Sequence, residues 1–436
     1  MADTTGLMLR QNPWWSGKPI DTGIIRENYL NKIIRYIDTK EIIIIGGVRR
    51  AGKTKLMHQT INHLITNKKA KPEEILFISC DAPEVQKLSD PIEEIIDTFR
   101  KQTGNPNLIW LFLDEVQMIQ DFPARLKALY DEGNTRIIIS GSSSHLLESK
   151  AGTLLSGRYI PITVYPLSFS EYLKFKSFEI PKTNLSALSK RYEFISELNE
   201  YLNFGGFPAV VNSDNNDTKG ELINAYYDSI VFRDIIQAHG IHSSGLLSKI
   251  LHYLITNVSL PMSYKGLSKL FECSPITVQD YLNGAEDANL LFPVKFFSYS
   301  LKEQIRNEKK MYVIDNGLRN RVSFTFSQDT GRLAENAVCI ELMRHGFEPF
   351  YWKEGNTTEV DFVVQSDDSL ICINVCYSDD IPAREFKGLT EFENKHSYRQ
   401  VKKIILSEDT EKTEGDIVIQ PIWKWFSGLE KLGEIV

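Results

Sequence analysis

Eight consecutive residues, Gly47-Val48-Arg49-Arg50-Ala51-Gly52-Lys53-Thr54, carry the spacing G-x-x-x-x-G-K-[ST] of a phosphate-binding loop. Each residue type answers a physical demand. Gly47 and Gly52 let the backbone turn with its N–H groups facing inward and no Cβ in the way. Lys53 reaches β- and γ-phosphates as a point charge, and the hydroxyl of Thr54 takes a Mg²⁺ position. A helix following the loop adds its N-terminal partial positive charge. Val48, Arg49, Arg50, Ala51 and Lys55 complete the expected nucleotide-binding set. Downstream, Asp114 and Glu115 close an apolar run. Asp114 suits the orientation of water on Mg²⁺, and Glu115 suits polarisation of the attacking water.

These groups need elements to hold them. The isoleucines Ile42 to Ile45 read as a strand buried on both faces, running straight into the loop. Leu56, Met57, Ile61, Leu64 and Ile65 follow at helical spacing. Further strands are expected over Ile75 to Cys80, Leu108 to Leu113, Arg136 to Ile139 and Tyr159 to Val164. Ligands collect at strand tips in open parallel sheets. Ser140 and Ser142, at one such tip, are candidates to sense a γ-phosphate; a strand-to-helix turn with capping hydroxyls is the alternative. Arg158, just before the last strand, is a candidate arginine finger acting in cis or from a neighbouring subunit, or else a surface arginine. With no N-K-x-D signal for guanine, ATP is preferred over GTP.

Composition bounds the rest. At roughly 150 residues per domain, 436 residues suggest about three domains. Hydrophobic residues at 42% and charged residues at 25% are ordinary for a soluble globular chain. A net charge of −7 argues against attachment to nucleic acid or anionic membrane by bulk charge, while leaving room for a local basic patch. No run reaches the ~18 apolar residues of a membrane span, and the first residues lack the apolar core of a secretory signal. Five scattered cysteines fit a reducing cytoplasm. Cys372 and Cys376, four apart in an expected strand, would lie about 13 Å from each other, too far to bridge.

IIREN, GGVRRAGKT, FLDEVQ, SGSSSHLL, GRYIPITVYPLSFSEYL and GGFPAVV occur in this order. Over nearly the whole chain the sequence resembles the prokaryotic AAA+-type ATPases that carry an uncharacterised C-terminal region. The resemblance implies an α/β fold: a P-loop NTPase (AAA+/STAND-like) parallel-sheet core, a helical lid, a winged helix and a C-terminal restriction-endonuclease-like domain. Its motifs fall on Gly47, Gly52, Lys53, Thr54, Asp114 and Glu115. Gly206-Phe207-Pro208 looks like the Gly-x-Pro element of the related STAND ATPases, which places Pro208 near the adenine, and Arg26 is placed near the nucleotide on the same ground. The implied division is 1–173 for the ATPase core, 174–245 for the lid, 246–325 for the winged helix and 326–436 for the nuclease-like domain.

Residues 262–291 read as helix-turn-helix, with Ser274 as N-cap and Pro275 starting the second helix. That helix, Pro275 to Asn289, has no Lys or Arg and contains Asp280, Glu286 and Asp287. Phosphate contact dominates DNA affinity, so it is a poor groove reader. Segments around Phe292 to Phe297 and Met311 to Ile314 would form a wing, with Lys302, Arg306, Lys309, Lys310, Arg319 and Arg321 as a local basic region. In the last part, a helix carries Glu335, and FEPFYWKEGNTTEVDFVVQ and SLICINVCYS read as two strands. Resemblance to the PD-(D/E)xK fold makes Glu335 and Asp361 metal-side carboxylates, but Asn374-Val375-Cys376 stands where E-x-K is required. A nuclease-like fold without nuclease activity is expected, with Lys353 a candidate for a rescuing lysine.

The expected function is an ATP-binding and hydrolysing switch using ATP and Mg²⁺. Lys53, Glu115 and Arg158 are its catalytic residues, Thr54 and Asp114 its metal ligands. A protein partner, DNA contact through the wing or C-terminal domain, a homo-oligomer and a cytoplasmic location accompany it. The alternative is an ATP-regulated DNA-binding or DNA-processing nuclease.

Overall fold

The computed structural model describes residues 4–104, 108–142, 154–181, 183–323, 329–355, 358–366, 369–397 and 399–432. Contacts divide the chain into two compact units: Met1–Val164 with Asp287–Asn289, and Tyr165–Glu286 with Leu290–Val436. Among the described residues no helix is long and apolar enough to cross a membrane, and all five cysteines are free.

The first unit is built on a parallel sheet. Its strands are β1 (Ile42–Gly46), β2 (Ile75–Ser79), β3 (Ile109–Asp114), β4 (Thr135–Gly141) and β5 (Tyr159–Thr163), in the order β2-β3-β4-β1-β5. Ile42 to Ile45 are all buried, as a strand covered on both faces requires. Register sets Ile43 opposite Ile138 on β4 and Ile42 opposite Tyr159 on β5. Leu111, Leu113, Ile137 and Ile139 pack with Ile92, Ile95 and Phe99 of the helix Pro91–Thr103 in one core. Because all five strands run the same way, their C-terminal tips lie along one edge. β1 therefore delivers the phosphate-loop residues beside Asp114 of β3 and Ser140 of β4.

The second unit starts with helices, including Arg191–Phe204, Asn216–Ser229 and a π-helical stretch Ile230–Gln237. The helices Tyr264–Leu270 and Pro275–Asp287 follow. β6 (Pro261–Met262), β7 (Leu291–Phe296) and β8 (Lys309–Val313) pair antiparallel, with the short helix Leu301–Arg306 between β7 and β8. Next come β9 (Phe350–Glu354), β10 (Thr358–Ser366), β11 (Ser369–Cys376), β12 (Gln400–Ser407), β13 (Lys412–Glu414) and β14 (Ile417–Pro421). All nine form one sheet, β13-β14-β12-β11-β10-β9-β7-β8-β6, in which β7 meets β9 in parallel at Lys295–Phe350 and Phe296–Tyr351.

Residues 347–365 form two strands where one was expected. Gly355, at φ +60°, ends β9 at a reversal, so β9 and β10 pair antiparallel. The left-handed φ is cheap only for glycine. The helix Thr330–Arg344 packs on one sheet face through Leu333, Val338 and Leu342. The helix Ala383–Lys395 packs on the other through Leu389 and Phe392.

Candidate functional site

The loop between β1 and the helix Lys53–Thr66 depends on its glycines. Gly47 has φ +135°, and a Cβ there would sit 2.1 Å from the Val164 carbonyl oxygen. Gly52 has φ +97° and opens the helix. Arg50 adopts φ +70° despite its side chain, the kind of strained position that clusters at ligand sites. Val48 and Ala51 are buried, while Arg50, Thr54 and Lys55 face solvent. Lys53 is 4% exposed and its Nζ donates to the carbonyls of Gly47 at 2.9 Å and Val48 at 3.1 Å. Its ammonium is thus folded back against the loop that would cradle phosphates. Lys55 turns away, its Nζ donating to the Asp21 carbonyl at 3.1 Å and pairing with the Asp21 carboxylate.

Thr54, Asp114 and Ser140 meet. Thr54 Oγ1 donates to Asp114 Oδ2 at 2.7 Å, and Ser140 Oγ donates to Asp114 Oδ1. The Glu115 N–H donates in turn to Ser140 Oγ at 3.1 Å. Burial pushes the Asp114 carboxyl above the usual carboxylate range, and these two hydroxyls pull it back only in part. A carboxylate that burial disfavours, beside a hydroxyl at 2.7 Å, is a hard-oxygen donor pair of the kind Mg²⁺ takes alongside substrate phosphates and water. The donor set therefore fits Mg²⁺.

Ser140, one of the two candidates for sensing phosphate, is completely buried and uses its hydroxyl on the acidic pair. Ser142 accepts from Gln117 Nε2 at 3.3 Å; residues 143–153, the remainder of that serine-rich turn, lie outside the described residues.

Two side chains that the motifs did not single out hold this site. Gln117 Nε2 donates to Glu115 Oε2 at 2.5 Å, while its Oε1 is buried without a hydrogen-bond partner. Glu115 itself sits at φ +54°, so its carboxylate leaves the strand direction and meets Gln117 two residues on. Gln59, 2% exposed on the loop helix, accepts from the Arg26 N–H at 3.1 Å and donates to the carbonyls of Thr22 and Ile24 at 2.9 Å. Arg26 Nη1 donates to the Ala51 carbonyl at 2.9 Å. Arg26 thus reaches the loop backbone. A buried Gln at an apolar helix register was the available signal for Gln59; Gln117 lay within the quoted FLDEVQ.

Arg158 is not brought to the loop. It precedes β5, where its carbonyl accepts from the Ile42 N–H at 2.8 Å, and its Nε stands 3.8 Å from Asp131 Oδ1. Ile42 begins β1 and Gly46 ends it, so Arg158 stands at the other edge of the sheet, about 13 Å away along the strand alone. The cis reading of Arg158 gives way to this strand direction. Arg158→Ala is expected to change turnover per site by less than about twofold, as for a surface charge. A fall of ~10³ or more in a phosphate-release assay would mean that a neighbouring subunit supplies Arg158. Pro208 belongs to the second unit, half-buried at the start of the helix Pro208–Val211.

The second candidate centre lies at β8, β10 and the helix Thr330–Arg344. Lys310, 2% exposed, places its Nζ 2.6 Å from Glu359, 3.1 Å from Glu335 and 3.4 Å from Asp361. Tyr312 OH donates to Glu335 at 2.7 Å. Burial alone would lower the Lys310 pKa, but the carboxylates outweigh it and raise it. Glu335 and Asp361 are both raised, burial being the main cause. The lysine beside these acids is therefore Lys310, from the hairpin, rather than Lys353, which pairs opposite Glu359 on the neighbouring strand. Asn374, 1% exposed, accepts from the Asp361 N–H at 3.1 Å and donates to the Glu385 carboxylate at 3.0 Å. Burial, chiefly, pushes the Cys376 thiol up to about 11. Neither supplies the missing carboxylate or ammonium.

The expected basic region of the wing is dispersed. Lys310 is enclosed by carboxylates and Arg319 is buried. Lys309 Nζ donates to Tyr264 OH at 3.1 Å, and Arg321 Nη2 stands 3.6 Å from Glu221. Lys302 and Arg306 are left exposed on the helix Leu301–Arg306. The folding of β8 against β7 turns Lys310 inward, which spacing along the chain does not reveal.

Comparison with known proteins adds three family matches. Residues 39–173 match an AAA domain, 195–329 a domain of unknown function (DUF8612) and 330–425 a second (DUF4143). An uncharacterized protein of Haemophilus influenzae is 30% identical over 400 residues, covering 90% of this chain and 96% of its own. One from Methanocaldococcus jannaschii is 32% identical over 410 residues, covering 90% and 89%. Among solved structures, a Walker-type ATPase of Pyrococcus abyssi superposes with a TM-score of 0.43 at 14% identity, over 68% of this chain and 95% of that one. The Aeropyrum pernix ORC1 protein in complex with DNA gives 0.32 at 10% identity, over 72% of this chain and 96% of that one.

Proposed function

The chain belongs to the prokaryotic AAA+-type P-loop ATPases, and on that premise we propose that it binds and hydrolyses Mg-ATP as a nucleotide-dependent switch. The observation that carries this is the meeting of Thr54, Asp114 and Ser140 at the mouth of the Gly47–Thr54 loop. Thr54 and Asp114 would hold Mg²⁺, which when bound neutralises charge on the β- and γ-phosphates. Lys53 exchanges its bonds to the Gly47 and Val48 carbonyls for phosphate oxygens, opening the loop as it does so. Glu115 orients the attacking water and takes its proton. Gln117, bonded to the Glu115 carboxylate, fixes where that base points. Gln59 and Arg26 brace the loop backbone through Ala51.

Lys53→Ala removes a side chain bonded to two loop carbonyls and destined for phosphate. It is expected to weaken ATP binding by at least about tenfold, the equivalent of one charge-assisted contact. Titration of a fluorescent ATP analogue measures this; unchanged affinity would put nucleotide elsewhere.

The second unit we read as a helical lid, a winged helix and a PD-(D/E)xK-like end that contacts a partner without cutting. The Lys310 ammonium already sits among the three carboxylates that a catalytic metal would need. On the helix Leu301–Arg306 the exposed Lys302 and Arg306 flank the exposed acid Glu303 and the exposed apolar Leu301 and Ile305, so a protein partner is favoured over DNA, because DNA binding draws its affinity from phosphate neutralisation.

A further inference from the structure

The second unit contains a cavity of about 860 Å³, bordered by the helices Arg191–Phe204 and Asn316–Val322, that none of the chemistry above uses. Arg319 lines it and is 1% exposed. Its Nη1 donates to Asn320 Oδ1 at 3.2 Å. Nε and Nη2 are buried and have no hydrogen-bond partner. Asp329 Oδ2, 3.8 Å from Nη2, is beyond hydrogen-bond reach, and the same oxygen is held by Arg332 Nε at 3.1 Å.

Nε and Nη2 form one edge of the guanidinium, the edge that grips a carboxylate or phosphate with two parallel bonds. A buried charge whose donors are unmade costs several kcal/mol, so an anion in the cavity would complete this group once the guanidinium edge, closed off from solvent as it stands, turns toward it. Lys219, 4% exposed, and Lys176 also line it; their Nζ atoms lie 2.6 and 3.6 Å from the one carboxylate of Glu200. Two ammonium groups on one carboxylate leave that wall positive. Asp214 and Glu408 also line the cavity. Together the six charged side chains balance, which disfavours a polyanion such as nucleic acid and favours a small ligand with a single anionic group.

We propose that this cavity binds a small polar molecule through one oxyanion group, a phosphate or a carboxylate, held by Arg319 with Lys219 and Lys176 as the supporting cations. The site is independent of the P-loop. Its test uses the full chain with the P-loop filled by a non-hydrolysable ATP analogue and Mg²⁺, whose γ-phosphate occupies the place an added anion could take there. Inorganic phosphate is titrated calorimetrically in one arm and acetate in the other. Saturable binding is expected in at least one arm, and which arm responds names the ligand's anionic group. Arg319→Gln should weaken that binding by at least about tenfold, and Lys176→Ala by about threefold. Where Arg319→Gln fails to fold by circular dichroism, Lys176→Ala decides. No saturable heat from either anion up to tens of millimolar, or equal affinity in the folded variants, overturns the proposal.

Discussion

Glu115→Gln is expected to keep ATP bound while turnover falls by about 10²–10⁴-fold, the usual worth of a positioned general base. The substitution is close to isosteric. Its amide oxygen still accepts from Gln117 Nε2, which donates to Glu115 Oε2 at 2.5 Å in the wild type. The backbone bond from residue 115 to Ser140 Oγ is untouched, so Asp114 stays aligned. What is lost is the ability to take a proton. Binding of a fluorescent ATP analogue and release of phosphate, measured on the same preparation, separate the two effects. Wild-type turnover by Glu115→Gln would remove Glu115 from the chemistry; loss of binding would mean that the change disturbed the Asp114–Thr54 pair instead.

Lys310→Met should destabilise the protein by about 3–5 kcal/mol, because removing one partner of a buried ionic cluster leaves the others uncompensated. Glu335, Asp361 and Glu359 all face the missing ammonium. The pH dependence follows from proton counting. Burial already raises Glu335 and Asp361 in the wild type, and Lys310 opposes the rise. Without it the native state holds protons on these acids at pH values where the unfolded chain has released them. Stability then falls as pH rises through the raised folded values, and it recovers as pH is lowered toward about 5. Urea melts at several pH values should therefore show the deficit shrinking in acid; a deficit independent of pH would mean that Lys310 acts by packing. In the wild type the same cluster predicts intact single- and double-stranded DNA and RNA after incubation with Mg²⁺ or Mn²⁺, with or without ATP. Cleavage that vanishes in Asp361→Ala would promote the nuclease alternative.

The nucleotide loop was legible because its chemistry is contiguous: one strand, one loop, one helix, with glycines where φ is positive. The buried strand of isoleucines and the acids at the tip of β3 were legible for the same local reason. Arg158 stays open between finger and surface arginine in the sequence because a motif gives no strand direction. Only the parallel pairing of Ile42 with Tyr159 shows that the start of β5 lies at the edge away from the loop. Lys310 was counted with a basic surface because its partners are 25, 49 and 51 residues away in the chain. Periodicity cannot report a pairing that forms only when β8 and β10 enter one sheet. Gly355 stands in the polar run K-E-G-N-T-T-E of residues 353–359, a turn signal that divides the single expected strand into β9 and β10.

Because β7 hydrogen-bonds to β9, the hairpin that would serve as a wing and the strands β9 to β14 share a single nine-stranded plank. Severing the chain between residues 323 and 329 would strip a neighbour from each of those strands. Both fragments would carry a raw strand edge with unpaired N–H and C=O groups beside aromatic residues Phe296, Phe350 and Tyr351. Such edges recruit other chains. A displacement of the hairpin would accordingly carry β9 with it through the Lys295–Phe350 and Phe296–Tyr351 pairs.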